Sequence, residues 1–459
     1  MKPLPPAFLE RMQSLLGNEY PGFLACYDAP PNVGLRVNLL KLSADDFRRL
    51  SPFGLEPVPW TAEGFRLTGD EQPGKHPYHA AGLYYLQEPA AMAATDALDP
   101  QPGERILDLA ASPGGKTTHI ASRMKNTGLL LANEIRTKRI PALAANLERW
   151  GVRNTLITNE PPERLADRLP GFFDRVLVDA PCSGEGMFRK EPDVRAEWKA
   201  EGIAGYAERQ RLILTFAARL VRPGGVLVYS TCTFAPEENE AVVASFLDKN
   251  RDFALAPSLP PLPGLSSARP EWIQPIRSGP WPGAARIWPH LSPGEGHFIA
   301  RLERVGGDPG PSIRRASLPV PPRPALEDFN AFIMEHATLD ITALNLVLLS
   351  SRLYHLPPET PDLSGLRVSS PGWWLGEAKK NRFEPGHALA MALRAADARL
   401  RLDLAVDDSR LAAYLRGQPL DLSLPNGWTL VTVDGYPLGW GKAVNGVLKN
   451  HYPAGLRVY

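Results

Sequence analysis

Two of the chain's three cysteines stand at the ends of apolar runs, in settings with few alternative uses. Cys182 lies in Asp179-Ala180-Pro181-Cys182-Ser183-Gly184, directly after an apolar run that ends at Val178. Cys232 lies in Tyr229-Ser230-Thr231-Cys232-Thr233, after Gly224-Gly225-Val226-Leu227-Val228. A single free cysteine often packs as a small hydrophobe; two placed alike point to thiol chemistry and, read with the glycine-rich loop upstream, to covalent catalysis on a pyrimidine base. Carbon 5 of cytosine is a poor nucleophile. A thiolate that adds to carbon 6 makes an enamine whose carbon 5 can take a methyl group, provided an acid engages ring nitrogen 3. A base must then remove the carbon 5 proton so that the thiolate can leave. The site needs a nucleophilic thiolate, an acid and a base, and Asp179 with the two cysteines supplies those types. The residues alone do not say which cysteine attacks.

The methyl donor needs its own site. Asp108-Leu109-Ala110-Ala111-Ser112-Pro113-Gly114-Gly115-Lys116-Thr117 joins an apolar strand to a helix. Small residues let the backbone approach a ligand, and the helix start offers free amides. The first glycine of a Walker loop is missing, and the dinucleotide pattern Gly-x-Gly-x-x-Gly is absent. What remains suits the zwitterionic methionine end of S-adenosylmethionine. Glu134 ends the second strand, where an acid accepts hydrogen bonds from ribose hydroxyls.

These residues require strands that end at one edge. Apolar runs predict strands over Arg105–Leu109, Leu129–Asn133, Thr155–Thr158, Arg175–Asp179 and Val226–Ser230. Helical patterns fall between them, at Lys116–Arg123, Thr137–Trp150, Ala204–Leu220 and Glu237–Asp248. Alternating βα units imply a doubly wound, Rossmann-like α/β core over residues 76–305, with ligands at the carboxyl ends of its strands. A small α/β segment, 1–75, precedes it, opening on an amphipathic helix and carrying Arg36-Val37-Asn38 in a strand-like stretch. A proline-rich linker, 306–324, follows, then a mixed α/β piece, 325–394, and a short-stranded end, 395–459.

The bulk composition fits a globular protein of about three domains: 459 residues, 44% hydrophobic, 22% charged and a net charge of +1. Three cysteines cannot build a disulfide framework, so a reducing cytoplasm is expected. No signal peptide or run of about 18 apolar residues is present, so no membrane partner is expected. The small net charge argues against a protein that coats nucleic acid, but a local basic patch serves an enzyme.

The loop Asp108–Thr117, the motif Asp179–Gly184 and the motif Tyr229–Glu240 together resemble the Sun-type RNA cytosine-5 methyltransferases. So do Arg286-Ile287-Trp288-Pro289-His290 and Gly294-Glu295-Gly296-His297-Phe298. The tail resembles the extension of the bacterial small-subunit (16S) ribosomal RNA members, whose last domain is the β-barrel module called PUA. The resemblance implies that Cys232 is the nucleophile and that Cys182 assists product release, whereas DNA cytosine-5 methyltransferases attack with the Pro-Cys cysteine. It implies that Asp179 contacts the cytosine edge and that Lys116 lies near cofactor and target. Cofactor contacts are expected from Ala110, Ala111, Ser112, Pro113, Gly114, Gly115, Lys116, Glu134, Arg139 and Asp179. The chain departs from the pattern at Ser112, where alanine is common, and at Asn159-Glu160, where many members place an acid near the adenine.

RNA contacts are expected from Arg189 and Lys190, which follow the Pro-Cys motif in a flexible loop beside Phe188, and from His297. In the tail they are expected from Lys379, Lys380 and Arg382, near Trp373 and Trp374, and from Lys442 and Lys449. Basic residues interleaved with aromatics suit phosphate contact and base stacking. The sequence thus reads as an S-adenosylmethionine-dependent cytosine-5 methyltransferase of 16S ribosomal RNA or the 30S subunit, monomeric and without a metal. The rivals are the same chemistry on transfer RNA, and a non-catalytic RNA-binding assembly factor.

Overall fold

The computed structural model describes residues 3–275, 279–308, 310–317 and 319–457. Met1 and Lys2 of the opening segment, and Pro309 and Leu318 of the linker, lie outside the described residues.

The core is a ten-stranded sheet. Its parallel run is ordered Thr155–Thr158, Leu129–Asn133, Arg105–Asp108, Phe173–Asp179, Val221–Thr231. Strands buried on both faces read as continuous apolar runs, and Leu129–Asn133 is buried at every position. Alternate residues feed two cores. Leu107, Leu131, Val176 and Leu227 pack on one face; Ile106, Leu130, Leu177 and Val228 pack on the other. The helices Gly115–Arg123, Ile140–Trp150, Gly202–Leu220 and Glu240–Lys249 lie close to their expected positions, and a short 3-10 turn, Thr137–Arg139, starts the second.

The sheet continues on both sides. His297–Arg304 runs antiparallel to Val221–Thr231, and Ala284–Ile287 pairs with it in turn. On the opposite edge Val368–Ser370, from the tail, pairs with Thr155–Thr158. The tail is therefore built into the catalytic sheet and does not hang from the linker. An exposed sheet edge is a site of unwanted pairing, and this strand covers it.

The amino-terminal segment forms a four-stranded antiparallel sheet in which Tyr84–Leu86 is a member. The expected boundary at residue 75 falls short of that strand, because its pairing with Gly34–Val37 is not visible in a local pattern. Leu35, Phe65 and Tyr78 of this unit share one core with Leu404, Tyr414 and Val431 of the last, five-stranded unit. The intervening unit packs Phe329, Trp373 and Leu389 against Trp428 and Trp440 of that same last unit. Trp373 is core and donates Nε1 to the Ala388 carbonyl (3.1 Å). A buried ionic group also ties the amino-terminal sheet to the core: Arg123 pairs with Glu63 (2.7 Å) and Asp96 (2.6 Å), and His119 bonds Glu63 (2.9 Å).

Candidate active site

The strand order reverses between Arg105–Asp108 and Phe173–Asp179, and that crevice is where open parallel sheets bind ligands. The loop Leu109–Gly114 leaves the first of these strands. Gly114 has φ +111°, a conformation that costs glycine little, and it delivers the chain into the helix that starts at Gly115. Thr117 Oγ1 donates to Asp108 Oδ2 (2.7 Å) across the loop. Arg36 of the amino-terminal sheet braces the helix start, donating Nη2 to the Gly115 carbonyl (2.9 Å) and to Thr118 Oγ1 (2.8 Å). Ser112 adds a bond that alanine could not make: Oγ donates to the Arg139 carbonyl (2.9 Å), while Arg139 Nη2 returns a bond to the Ser112 carbonyl (2.5 Å).

Glu134 is buried; Oε1 accepts from Arg136 N (2.7 Å), and Arg139 Nη1 lies 3.5 Å from Oε2. Ile135 follows it with 58% of its surface exposed, an apolar face beside the acid that the sequence reading missed. Asn159 donates Nδ2 to the Glu134 and Ile135 carbonyls (2.7 and 3.0 Å), so it shapes this turn. Glu160 is fully buried and accepts from Arg367 N of the tail (2.6 Å); its carboxylate is committed to the domain junction.

The residues fit S-adenosylmethionine. Asp108 Oδ1 is a buried acceptor with no hydrogen-bond partner among the described residues; burial, opposed by the Thr117 bond, pushes that carboxyl up to about 6. An orphan acceptor at the loop suits the cofactor's ammonium, and Glu134 with Ile135 suits ribose and adenine.

The chemistry-bearing groups converge beside this loop. Lys116 Nζ donates to Asp179 Oδ2 (2.6 Å), and Ser230 Oγ donates to Asp179 Oδ1 (2.9 Å). Burial opposes ionisation at both ends of this pair; the Lys116 charge and these bonds nonetheless hold the Asp179 carboxyl below its usual range, and Asp179 holds Lys116 above its own. The sulfurs of Cys182 and Cys232 lie 3.3 Å apart. The Cys232 thiol, hydrogen-bonded to Cys182, and then burial push the Cys182 thiol well above its ordinary value. The two loops are clasped together: Ser183 Oγ bonds Thr233 Oγ1 (2.7 Å), and Gly186 N donates to the Cys232 carbonyl (2.9 Å). Gly186 must be glycine, because a Cβ there would meet the Gly296 carbonyl at 2.6 Å.

Two expected RNA contacts are corrected. The Arg189 side chain is 7% exposed and bidentate to Glu295 (2.7 Å), with a further bond to the Cys26 carbonyl (2.7 Å); it locks the loop to the amino-terminal segment. Phe188 is likewise buried, against Phe8 (ring centroids 4.8 Å). His297 is buried near Lys116 and Asp179; burial and the Lys116 charge push its imidazole down to about 3, so it is neutral and not a phosphate contact. Lys190, Lys380 and Lys449 are exposed. Lys379 and Arg382 are exposed but pair with Glu377 and Glu384. Lys442 stands opposite Lys449 on neighbouring strands, with Nζ 5.4 Å from the Trp428 ring centroid.

A doubly wound sheet carrying this loop, an acid at the second strand end and two facing cysteines defines an S-adenosylmethionine-dependent methyltransferase. Residues 95–303 match the family described as 16S rRNA methyltransferase RsmB/F, and the chain belongs to that family. Residues 4–89 match the N-terminal domain of 16S rRNA methyltransferase RsmF. Residues 331–393 match the RsmF rRNA methyltransferase first C-terminal domain, and 401–458 the methyltransferase RsmF PUA domain. Ribosomal RNA small subunit methyltransferase F of Erwinia tasmaniensis is 35% identical over 98% of this chain and 96% of its own length. The protein of that name from Vibrio campbellii is 33% identical over 98% and 97%. A methyltransferase homolog from Pyrococcus horikoshii superposes with a TM-score of 0.57 at 32% identity, covering 65% of this chain and 94% of that one. NSun6 from the same organism, solved with SFG, shares the fold at 23% identity, with a TM-score of 0.56 over 66% of this chain and 99% of that one. Among the described residues, no helix is long and apolar enough to cross a membrane.

Proposed function

We propose that this chain methylates carbon 5 of a cytosine in small-subunit ribosomal RNA, with Cys232 as nucleophile and Cys182 assisting release. The observation that carries this reading is the 3.3 Å approach of the two sulfurs beside the Lys116–Asp179 pair. The two thiols sit in opposite fields. The Lys116 charge is in electrostatic reach of Cys232, and the Glu238 carboxylate is in reach of Cys182. The Cys182 thiol, pushed up by its hydrogen bond to Cys232 and by burial, keeps its proton, and Cys232 attacks carbon 6.

The loop residues Ala110 to Gly115 with Asp108, Glu134 and Arg139 hold the cofactor. Bound there, S-adenosylmethionine supplies an electrophilic methyl group on its sulfonium. Asp179 engages the edge of the cytosine ring while Lys116 keeps it oriented; this favours addition at carbon 6. After methylation water takes the carbon 5 proton, the electron pair of that bond restores the double bond between carbons 5 and 6, and the Cys232 sulfur leaves as a thiolate to which the Cys182 thiol donates. The similarity to relatives named as small-subunit ribosomal RNA methyltransferases over 98% of the chain supports that substrate over transfer RNA. Lys190, Lys380, Lys442 and Lys449 contact phosphates. The cytoplasm is the compartment and a monomer the working form.

The test is methyl transfer to 16S ribosomal RNA and to 30S subunits from cells that lack the enzyme, with the product nucleosides identified by mass. 5-Methylcytidine formed by the wild type and not by Cys232→Ala supports the reading. Cofactor binding without product on either RNA overturns it.

A further inference from the structure

Cys182 is supported in part by a residue, Gln210, that lies outside every motif tied to the reaction. Gln210, in the middle of Gly202–Leu220, is fully buried. Its Nε2 donates to the Pro181 carbonyl (3.0 Å) and to Glu238 Oε2 (2.9 Å). The same Oε2 accepts from Ser183 N (3.0 Å). The backbone is thus held immediately before and immediately after Cys182 by one glutamine–carboxylate pair. The second carboxylate oxygen, Glu238 Oε1, is buried with no hydrogen-bond partner among the described residues. An unbonded buried carboxylate oxygen is costly, and such groups in native proteins call for a functional account.

We propose that Gln210 and Glu238 are positioning residues for Cys182: they fix its loop against Cys232 and set a buried negative charge beside its thiol, so that the two adjacent cysteines stay different. This rests on the assignment of Cys182 to release. Other groups face the pair. Cys232 and Tyr229 lie on the neighbouring strand end, and the Tyr229 hydroxyl donates to the Glu238 carbonyl (2.6 Å). Glu185 and Glu237 add negative charge in electrostatic reach of Glu238, and Arg11 of the first helix offsets both. Glu238 is the only one of these carboxylates bonded to the Cys182 loop backbone among the described residues. Burial also lifts the Glu238 carboxyl above its usual range.

The test uses the full chain with Cys232→Ser, so that Cys182 is read without a second site thiol. Alkylation of Cys182 is followed by peptide mass against pH, with Glu238 and with Glu238→Gln. Glutamine can still accept from Ser183 and Gln210, so the clasp survives and only the charge goes. The midpoint falls by about one pH unit, a tenfold rise in thiolate near neutrality. Coincident curves from folded proteins overturn the proposal.

If Glu238→Gln does not fold, Gln210→Met in the otherwise unchanged chain tests the clasp. It is expected to accumulate covalent adduct with 16S ribosomal RNA several-fold above wild type, as Cys182→Ala does. An adduct from Cys182→Ala but not from Gln210→Met sinks this inference alone. Failure of Cys182→Ala to give one sinks the release assignment beneath it.

Discussion

The sulfurs of Cys182 and Cys232 lie 3.3 Å apart, although each belongs to a different loop at the end of a different strand. The strands Phe173–Asp179 and Val221–Thr231 are neighbours and parallel, with Asp179 opposite Ser230. Parallel neighbours end at the same edge, so the residues that follow them emerge side by side. The Ser183–Thr233 bond and the Gly186–Cys232 bond then hold the loops in register.

The Lys116–Asp179 pair carries a prediction about turnover. Asp179→Asn and Lys116→Met each lower kcat by about a hundredfold or more, with a smaller change in KM for RNA. Because the Asp179 carboxyl is held below its usual range, its contribution is present at neutral pH and is lost only as pH falls through that depressed value. The kcat profile of the wild type therefore shows no acid limb from Asp179 above about pH 4. Such a limb, abolished by Asp179→Asn, would count against a permanently ionised carboxylate.

Adjacent cations in the Pro-Cys loop separate folding from binding. Arg189→Ala strips the charged partner from buried Glu295, leaving it the Asn32 N–H bond, and costs about 3–5 kcal/mol of stability, read by denaturant unfolding. Lys190→Ala leaves stability unchanged and flattens the salt dependence of RNA binding by about one unit of slope. Equal effects of the two on stability contradict the structure at this loop.

Glu185 predicts a pH-dependent stability difference. Burial first, then the Glu238 charge, push its carboxyl up to about 7, from an ordinary value of 4.5. An acid with a raised folded value is protonated in both states at low pH, and its ionisation is resisted by the folded state as pH rises. Glu185→Gln, which can still accept from Phe234 N, therefore matches wild-type stability near pH 4. It gains on the wild type through pH 4.5 to 7, by up to about 3 kcal/mol above that range. Parallel stability curves from pH 4 to 8 would remove Glu185 as a titrating group.

The parallel half of the sheet could be read from the sequence because its strands are apolar on both faces and each run ends at glycine, proline or a polar residue. Leu129–Asn133 and Thr155–Thr158 coincide with their expected limits. Val368–Ser370 could not be read: three residues carry no period, and the partner strand lies in another unit. That Cys182, Cys232 and the loop Leu109–Gly114 gather at one edge was legible because each follows an apolar strand directly. Arg189 and His297 were not, since exposure was inferred from local composition and their surroundings come from remote segments: Glu295 and the amino-terminal helices for one, Lys116 and Asp179 for the other. Gln210 gave no signal at all, being one polar residue in a helix, and only its contacts with Pro181 and Glu238 mark it out.

Trapping the covalent adduct tells the roles of the two thiols apart. Wild type, Cys182→Ala and Cys232→Ala are each incubated with S-adenosylmethionine and 16S ribosomal RNA or 30S subunits, then resolved under denaturing conditions. The account predicts a stable protein–RNA band from Cys182→Ala and none from Cys232→Ala. A band from Cys232→Ala alone would reverse the two thiols and contradict it.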